Sequence, residues 1–169
     1  MFSGKSTELL RRISRYEAIG KKIYLINHSI DTRTQDFVKT HTNQQKIAVK
    51  ARKLLPLITT PEFQESDIIG IDEAQFFDDL HSFILAIENT NKILIISGLD
   101  GDYQRKPFGK ILDCIPLCDT VTKLSAMCMQ SKDGTPAIFS KRIIDLYNQT
   151  VIGASDKYIA VNRHNYLKM

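Results

Sequence analysis

Two short clusters in the 169-residue chain carry residue types suited to phosphate chemistry. The first is MFSGKS, residues 1–6, directly ahead of an apolar helical pattern. A phosphate loop of the form G-x-x-x-x-G-K-[ST] turns successive backbone N–H groups and a helix N-terminus toward phosphate oxygens. Its Lys reaches the β and γ phosphates and its hydroxyl holds Mg²⁺. Ser3, Gly4, Lys5 and Ser6 fit that use, and the run supplies everything but the first glycine and the strand that should precede it. Read alone, Gly-Lys-Ser also suits the start of any helix, because Gly and Ser are common N-cap residues. The second cluster is SDIIGIDEAQFF, residues 66–77, which sets Asp72 and Glu73 at the end of an apolar run. Ligands of open parallel sheets bind at the carboxyl ends of the strands. An acid there can coordinate the magnesium shell, and a neighbouring carboxylate can take the proton of an incoming hydroxyl. The plainer reading makes both acids helix-start residues. Together, in this order and separation, the clusters favour a nucleotide site.

The elements that would position them are legible as periodicities. Leu9, Ile13 and Tyr16 repeat at helical spacing after Ser6, and Gly20 closes that first helix. Residues 21–27 read as a strand, 49–58 as a short helix, 66–72 as a strand and 78–90 as a helix. Residues 92–98 then read as a buried strand, 109–118 as a helix and 120–127 as a strand. Strand and helix alternate, which predicts an α/β domain with a largely parallel sheet. From Gln130 the pattern weakens into turn formers, with 149–153 and 157–161 as short strands. The expected division is a nucleotide-binding core over 1–129 and a small lobe over 130–169.

Bulk properties narrow the classes. A net charge of +4, with 23 Lys and Arg spread among 19 acids, suits an anionic small molecule as well as a nucleic acid. No run approaches the ~18 apolar residues of a membrane span, and no secretory signal pattern opens the chain. Cys114, Cys118 and Cys128 are odd in number and irregularly spaced. Reduced thiols in a reducing compartment, the cytoplasm, are therefore expected rather than a disulfide framework.

Beyond this chemistry, MFSGKSTELLRR, DTR at 31–33, IDEAQFF, LDGDYQRKPF at 99–108 and GASDKY at 153–158 resemble one family. They are similar to the thymidine kinases of the compact cytosolic type, type II, found in animals, bacteria and large DNA viruses. The resemblance runs over nearly the whole chain. It implies a RecA-like phosphate-loop core, with transfer of the ATP γ-phosphate to the 5′-hydroxyl of thymidine or deoxyuridine. It also implies Mg²⁺ as cofactor, dTTP as feedback inhibitor, a homotetramer or dimer, and no nucleic-acid or membrane partner. Site roles follow by match. Lys5 and Ser6 would hold the phosphates and Mg²⁺, with Asp72 reaching Mg²⁺ through its water shell. Asp31 and Arg33 would sit near the phosphates, Arg33 stabilising charge on the transferred group. Glu73 would be the general base and Gln75 would fix the site. Met1, Leu99, Tyr103 and Ser140 would surround the base, and Gln149, Thr150, Val151, Ile152 and Gly153 would offer it backbone hydrogen bonds. Tyr158 would cover the nucleoside. From the residues alone, Leu99 and Tyr103 also read as plain core packing.

Two departures from the family pattern bear on this expectation. The family has a β-strand and Gly-Pro ahead of the MFSGKS run, so a start recorded too late is the expected explanation of the opening at Met1. The family also carries two C-x-x-C pairs for a structural zinc, where this chain has Cys128-Met129-Gln130-Ser131 and Asn162-Arg163-His164-Asn165. Cys128 is the one retained thiolate, and a structural zinc is not expected. The readings left beside the kinase are a nucleotide-binding but catalytically silent homologue kept as a binding or scaffold protein, and an ATPase acting on nucleic acid.

Overall fold

Leu9, Leu10 and Ile13 fall on one side of helix α1, Lys5–Glu17, and are all buried, so the first apolar stripe is the one that docks onto the sheet. The computed structural model describes residues 1–31, 37–39, 45–145, 148, 151 and 156–168. Strand β1, Ile23–His28, follows α1. After it come the short hairpin strands β2, Phe37–Lys39, and β3, Gln45–Ile47, which pair antiparallel. The central sheet is completed by β4, Val49–Ala51, by β5, Ile68–Asp72, and by β6, Ile93–Ile96. Its order is β4-β1-β5-β6, and every neighbouring pair is parallel.

Alternation along the strands sorts side chains into two cores. Leu25 of β1 faces Leu9, Leu10 and Ile13, with Val38 and Ala48 closing that layer. Tyr24, Ile26, Ile69 and Ile71 face the other way. There they meet Phe63 of helix α2, Pro61–Glu65, and Leu80, Phe83 and Ile87 of helix α3, Leu80–Ile87. The fully buried Phe63 and Phe83 rings meet edge-on, 5.9 Å apart. Side chains of this size stabilise the fold by roughly 1.5–3 kcal/mol each when buried. Helices cover both faces of a parallel sheet, the α/β architecture expected from the alternating pattern.

Several expected elements differ. Residues 49–58 read as one helix, yet they form β4 and then a 3₁₀ turn, Leu55–Thr59. Pairing with the open edge of β1 outweighs the helix-forming Lys and Arg side chains, and Pro56 near the start of the turn removes a donor. β6 is not the buried strand expected over 92–98: it ends the sheet among the described residues, and Ile93 is 42% exposed. Residues 109–118 give a 3₁₀ segment, Leu112–Leu117, with Pro116 inside it, in place of an α-helix. Of the strand expected over 120–127 only β7, Ala126–Met127, forms. It pairs with β8, Pro136–Ala137, outside the central sheet.

A third, smaller core gathers Ala126, Cys128, Ala137, Ala160 and Val161. Around it β9, Phe139–Arg142, pairs antiparallel with β10, Tyr158–Val161, and helix α4, Arg163–Leu167, follows. The Tyr166 hydroxyl donates to the Tyr103 carbonyl at 2.7 Å, tying α4 to the loop after β6. Of the strand expected over 149–153, only Val151 lies among the described residues.

Candidate active site

Parallel strands all end on the same edge, and that edge is where the two sequence clusters meet. Asp72 is the last residue of β5, in register with Asn27 near the end of β1. Gly4 precedes α1 in the left-handed conformation, φ 76° and ψ 21°, and offers no side chain to cap the helix. The first N–H groups of α1 therefore remain available to an anion at that edge. Ser6, one residue into α1, donates to Asp72 Oδ2 at 2.7 Å. Ser97, just past β6, donates to Asp72 Oδ1 at 2.5 Å. The carboxylate thus joins α1 to two adjacent strands. Burial pushes the pKa of Asp72 up, and the negative charge expected on Glu73 adds to the rise, while the Ser97 and Ser6 hydroxyls oppose it.

Glu73 follows in a left-handed backbone conformation, φ 52° and ψ 40°, which turns the chain sharply out of the strand. A non-glycine residue there is strained, and such strain is characteristic of functional positions. Gln75, buried in the short 3₁₀ turn Ala74–Phe76, fixes the carboxylate: its Nε2 donates to Glu73 Oε2 at 2.7 Å. The other end of the same amide, Oε1, accepts from the Leu99 N–H at 2.9 Å. One buried amide therefore sets both the acid after β5 and the loop after β6.

On the β1 side, the Asp31 carboxylate accepts from Asn27 Nδ2 at 3.2 Å and the Asp31 carbonyl accepts from Lys50 Nζ at 2.8 Å. Met1 and Ser140 are brought together, the Met1 amino group donating to Ser140 Oγ at 2.6 Å. Tyr103, Tyr158 and Val151 form another group. The Tyr158 hydroxyl donates to the Val151 carbonyl at 3.0 Å and accepts from Arg142 at 2.7 Å, and the same guanidinium lies 3.6 Å from the Tyr103 ring centroid. Ser3 and Lys5 flank Gly4 at the start of α1. Arg33, Gln149, Thr150, Ile152 and Gly153 lie outside the described residues.

The donor set can be tested against the metals that the resemblance implies. Mg²⁺ keeps several waters and is bound by one or two protein oxygens plus substrate phosphates. The Ser6 hydroxyl and the Asp72 carboxylate, held in contact at the end of β5, fit that requirement. Zinc at Cys128 does not fit. Cys128 Sγ accepts from the Asn162 N–H at 3.4 Å and from Asn165 Nδ2 at 3.3 Å, so both asparagines present protons to the sulfur rather than lone pairs. Asn162 Oδ1 is itself engaged as the cap of α4, accepting from the Asn165 N–H. Burial pushes the Cys128 thiol up, but hydrogen bonds from Ser131, Asn162 and Asn165 outweigh it and bring the pKa down to about 6. Among the described residues no three His, Cys, Asp or Glu side chains gather as a metal cage.

A family profile described as Thymidine kinase matches residues 1–166. The chain belongs to the thymidine kinase family. Its relatives include the thymidine kinase of Myxoma virus (strain Uriarra), 44% identical over 167 residues that cover 98% of this chain and 91% of the relative. Thymidine kinase 1 of Dictyostelium discoideum is 43% identical over 171 residues, covering 98% and 74%. The thymidine kinase of Vaccinia virus (strain Western Reserve) is 42% identical over 167 residues, covering 99% and 92%.

Four residues around these clusters escaped the sequence reading. Ser97 carried a usable signal, since it directly follows the strand next to β5 and so shares its carboxyl edge. Asn27 carried the same signal on β1. Gly109 has φ +61°, and its position would place a Cβ 2.0 Å from the Gln75 carbonyl oxygen. Arg142 gave no signal, because Ser-Lys-Arg in a polar stretch resembles a solvated basic run.

Proposed function

We propose that the chain is an ATP-dependent thymidine kinase, transferring the ATP γ-phosphate to the 5′-hydroxyl of thymidine in deoxynucleotide salvage for DNA synthesis. The observation that carries the reading is the Asp72–Glu73 pair at the end of β5, one carboxylate hydrogen-bonded to the phosphate-loop Ser6 and the other held by Gln75. The family membership supports the same reaction.

In this mechanism the N–H groups at the start of α1, with Ser3, Gly4 and Lys5, cradle the ATP phosphates, Lys5 reaching the β and γ groups. Ser6 and Asp72 would hold Mg²⁺, which when bound neutralises charge on the β and γ phosphates. Asp31 and Arg33 belong to the phosphate side, Arg33 stabilising charge on the transferred group. Glu73 accepts the proton of the 5′-hydroxyl. As the new bond from the 5′-oxygen to the γ-phosphorus forms, the bond to the β–γ bridging oxygen breaks and ADP leaves. Gln75 keeps Glu73 aimed, because its amide is fixed at the other end by the Leu99 N–H. Met1, Leu99, Tyr103 and Ser140 line the base side. Residues 149–153 supply it with main-chain hydrogen bonds, and Tyr158 covers the nucleoside.

The core over 1–129 is RecA-like, the segment 130–169 is the nucleoside-closing lobe, dTTP inhibits as end product, and the enzyme works as a cytoplasmic homotetramer or dimer. Among the described residues no helix is long and apolar enough to cross a membrane, and all three cysteines are free. Incubation with [γ-³²P]ATP, Mg²⁺ and thymidine tests the reading. Label should appear in a nucleoside monophosphate, at a rate that saturates with thymidine. Label released only as inorganic phosphate, at a rate indifferent to thymidine, would point to an ATPase instead.

A further inference from the structure

We propose that Arg142 is a positioning residue of the nucleoside pocket, setting with one guanidinium the ring of Tyr103, the hydroxyl of Tyr158 and the main chain at Asn148. The inference rests on the kinase reading above and assigns a specificity role to a residue outside the phosphate machinery. Arg142 ends β9 directly across from Tyr158 at the start of β10. From there its contacts include two hydrogen bonds and a stacked ring. Nη2 donates to the Tyr158 hydroxyl at 2.7 Å, and Nη1 donates to the Asn148 carbonyl at 2.6 Å. The flat face lies 3.6 Å from the Tyr103 ring centroid, within stacking distance.

These contacts form a relay. Having accepted from Arg142, the Tyr158 hydroxyl turns its own proton to the Val151 carbonyl at 3.0 Å. Tyr103 comes from the loop after β6, Tyr158 from β10, and Asn148 and Val151 from the segment between β9 and β10. Among the described residues no backbone ladder joins all three, and beside the Tyr166–Tyr103 hydrogen bond the guanidinium is a link that reaches each of them. A planar fork with two engaged N–H edges and a flat face for stacking can do this, whereas an ammonium offers neither the plane nor the fixed angle between donors. Arg142 need not touch substrate to act in this way. Its effect is on nucleoside binding, not on the phosphate end, because the Ser6–Asp72–Glu73 group is built from α1, β5 and β6.

The test is steady-state kinetics of wild type, R142M and R142K in the full chain, with melting curves to confirm folding. R142M should raise the thymidine KM about tenfold, leaving kcat within about twofold and the ATP KM unchanged, the pattern of lost ground-state binding. R142K should fall between wild type and R142M in thymidine KM, because it can restore one hydrogen bond without the stacked plane. An R142M enzyme with unchanged thymidine KM overturns the inference, as does a loss confined to kcat, which reports only a smaller folded fraction. Should R142M fail to fold, R142K decides: a thymidine KM raised about threefold or more supports the role, and one equal to wild type removes it. Failure of the kinase reading looks different, since wild type itself would then neither bind thymidine in calorimetry nor phosphorylate it, and the inference would fall with it.

Discussion

Gly109→Ala is the sharpest perturbation the site offers, because one added carbon must collide with the backbone that aims Glu73. A Cβ at this position would lie 2.0 Å from the Gln75 carbonyl oxygen and 2.8 Å from its carbonyl carbon. Carbon and oxygen pack comfortably only beyond ~3.4 Å, so Gln75 or Gly109 must retreat by about 1 Å or more. The partner atom is main chain, which cannot swing aside as a flexible side chain would. The backbone adds a second cost, since alanine at φ +61° carries about 1–2 kcal/mol of left-handed strain. Overpacking of this kind costs about 1–3 kcal/mol more. The pair should destabilise by about 2–5 kcal/mol and lower Tm by about 4–20 °C for a chain of this size. Gly134→Ala is the control, with φ +83° but nothing within 4 Å of its Cβ. It should lose only the strain, about 1–2 kcal/mol. Activity should separate the two further. A displaced Gln75 loses its hold on Glu73 and on the Leu99 N–H, and a misplacement of about 1 Å commonly costs about 10²-fold in rate. Scanning calorimetry, followed by thymidine-dependent turnover at a temperature where both variants remain folded, measures both effects. If Gly109→Ala matched Gly134→Ala in Tm and turned over like wild type, the account of Gln75 as the site's anchor would be refuted.

Four further outcomes follow from the same geometry. Glu73→Gln should lower kcat by about 10²-fold or more with little change in ATP affinity, and near-normal turnover would remove Glu73 as general base. Asp72→Asn should make the ligand-free protein more stable near neutral pH yet abolish stabilisation by Mg²⁺ with ATP. The folded pKa of Asp72 is raised, so its stability contribution is present below the usual aspartate range near 3.8 and is lost as pH rises past it. The Tm difference between variant and wild type should therefore grow with pH, and a variant less stable than wild type at pH 7 contradicts the burial argument. Cys128→Ser should flatten the pH dependence of Tm between about 6 and 9. The lowered thiol pKa stabilises the fold above the ordinary value of 9.0, and that contribution is lost as pH falls through about 6. A chelator should leave the wild-type Tm unchanged, and a drop on chelation would reveal a metal that the asparagine donors do not explain.

The parts of the fold that were legible in the sequence are those where one local pattern dominates. β5 is an apolar run closed by Asp72 and buried at every position, and of the stripe read at Leu9, Ile13 and Tyr16 the first two are buried while Tyr16 is only partly so. β4 was illegible because Val49–Ala51 is too short and too polar to declare itself. Its extended state comes from pairing with Ile26, Asn27 and His28 of β1. The expected strand over 120–127 failed for the opposite reason: its β-branched residues look strand-like, but only Ala126 and Met127 find a partner. At the site, Ser6 and Asp72 could be read because one opens a recognisable helix, the other closes a recognisable strand, and the carboxyl edge of a parallel sheet is shared. The linkage through Gln75 could not, since it depends on a buried amide bridging two loops and on Gly109 yielding the space behind it. Arg142 was equally hidden, because its partners come from three separate segments.

The central claim is that this cluster moves a phosphoryl group onto a nucleoside hydroxyl. Its most direct test is product analysis of the full chain incubated with ATP, Mg²⁺ and thymidine, by ³¹P NMR with mass spectrometry, beside Glu73→Gln. The account predicts thymidine 5′-monophosphate and ADP in equal amounts from the wild type, with formation slowed about 10²-fold or more in the variant. Unchanged thymidine in a mixture where ATP demonstrably binds would contradict it, as would equal product from both proteins.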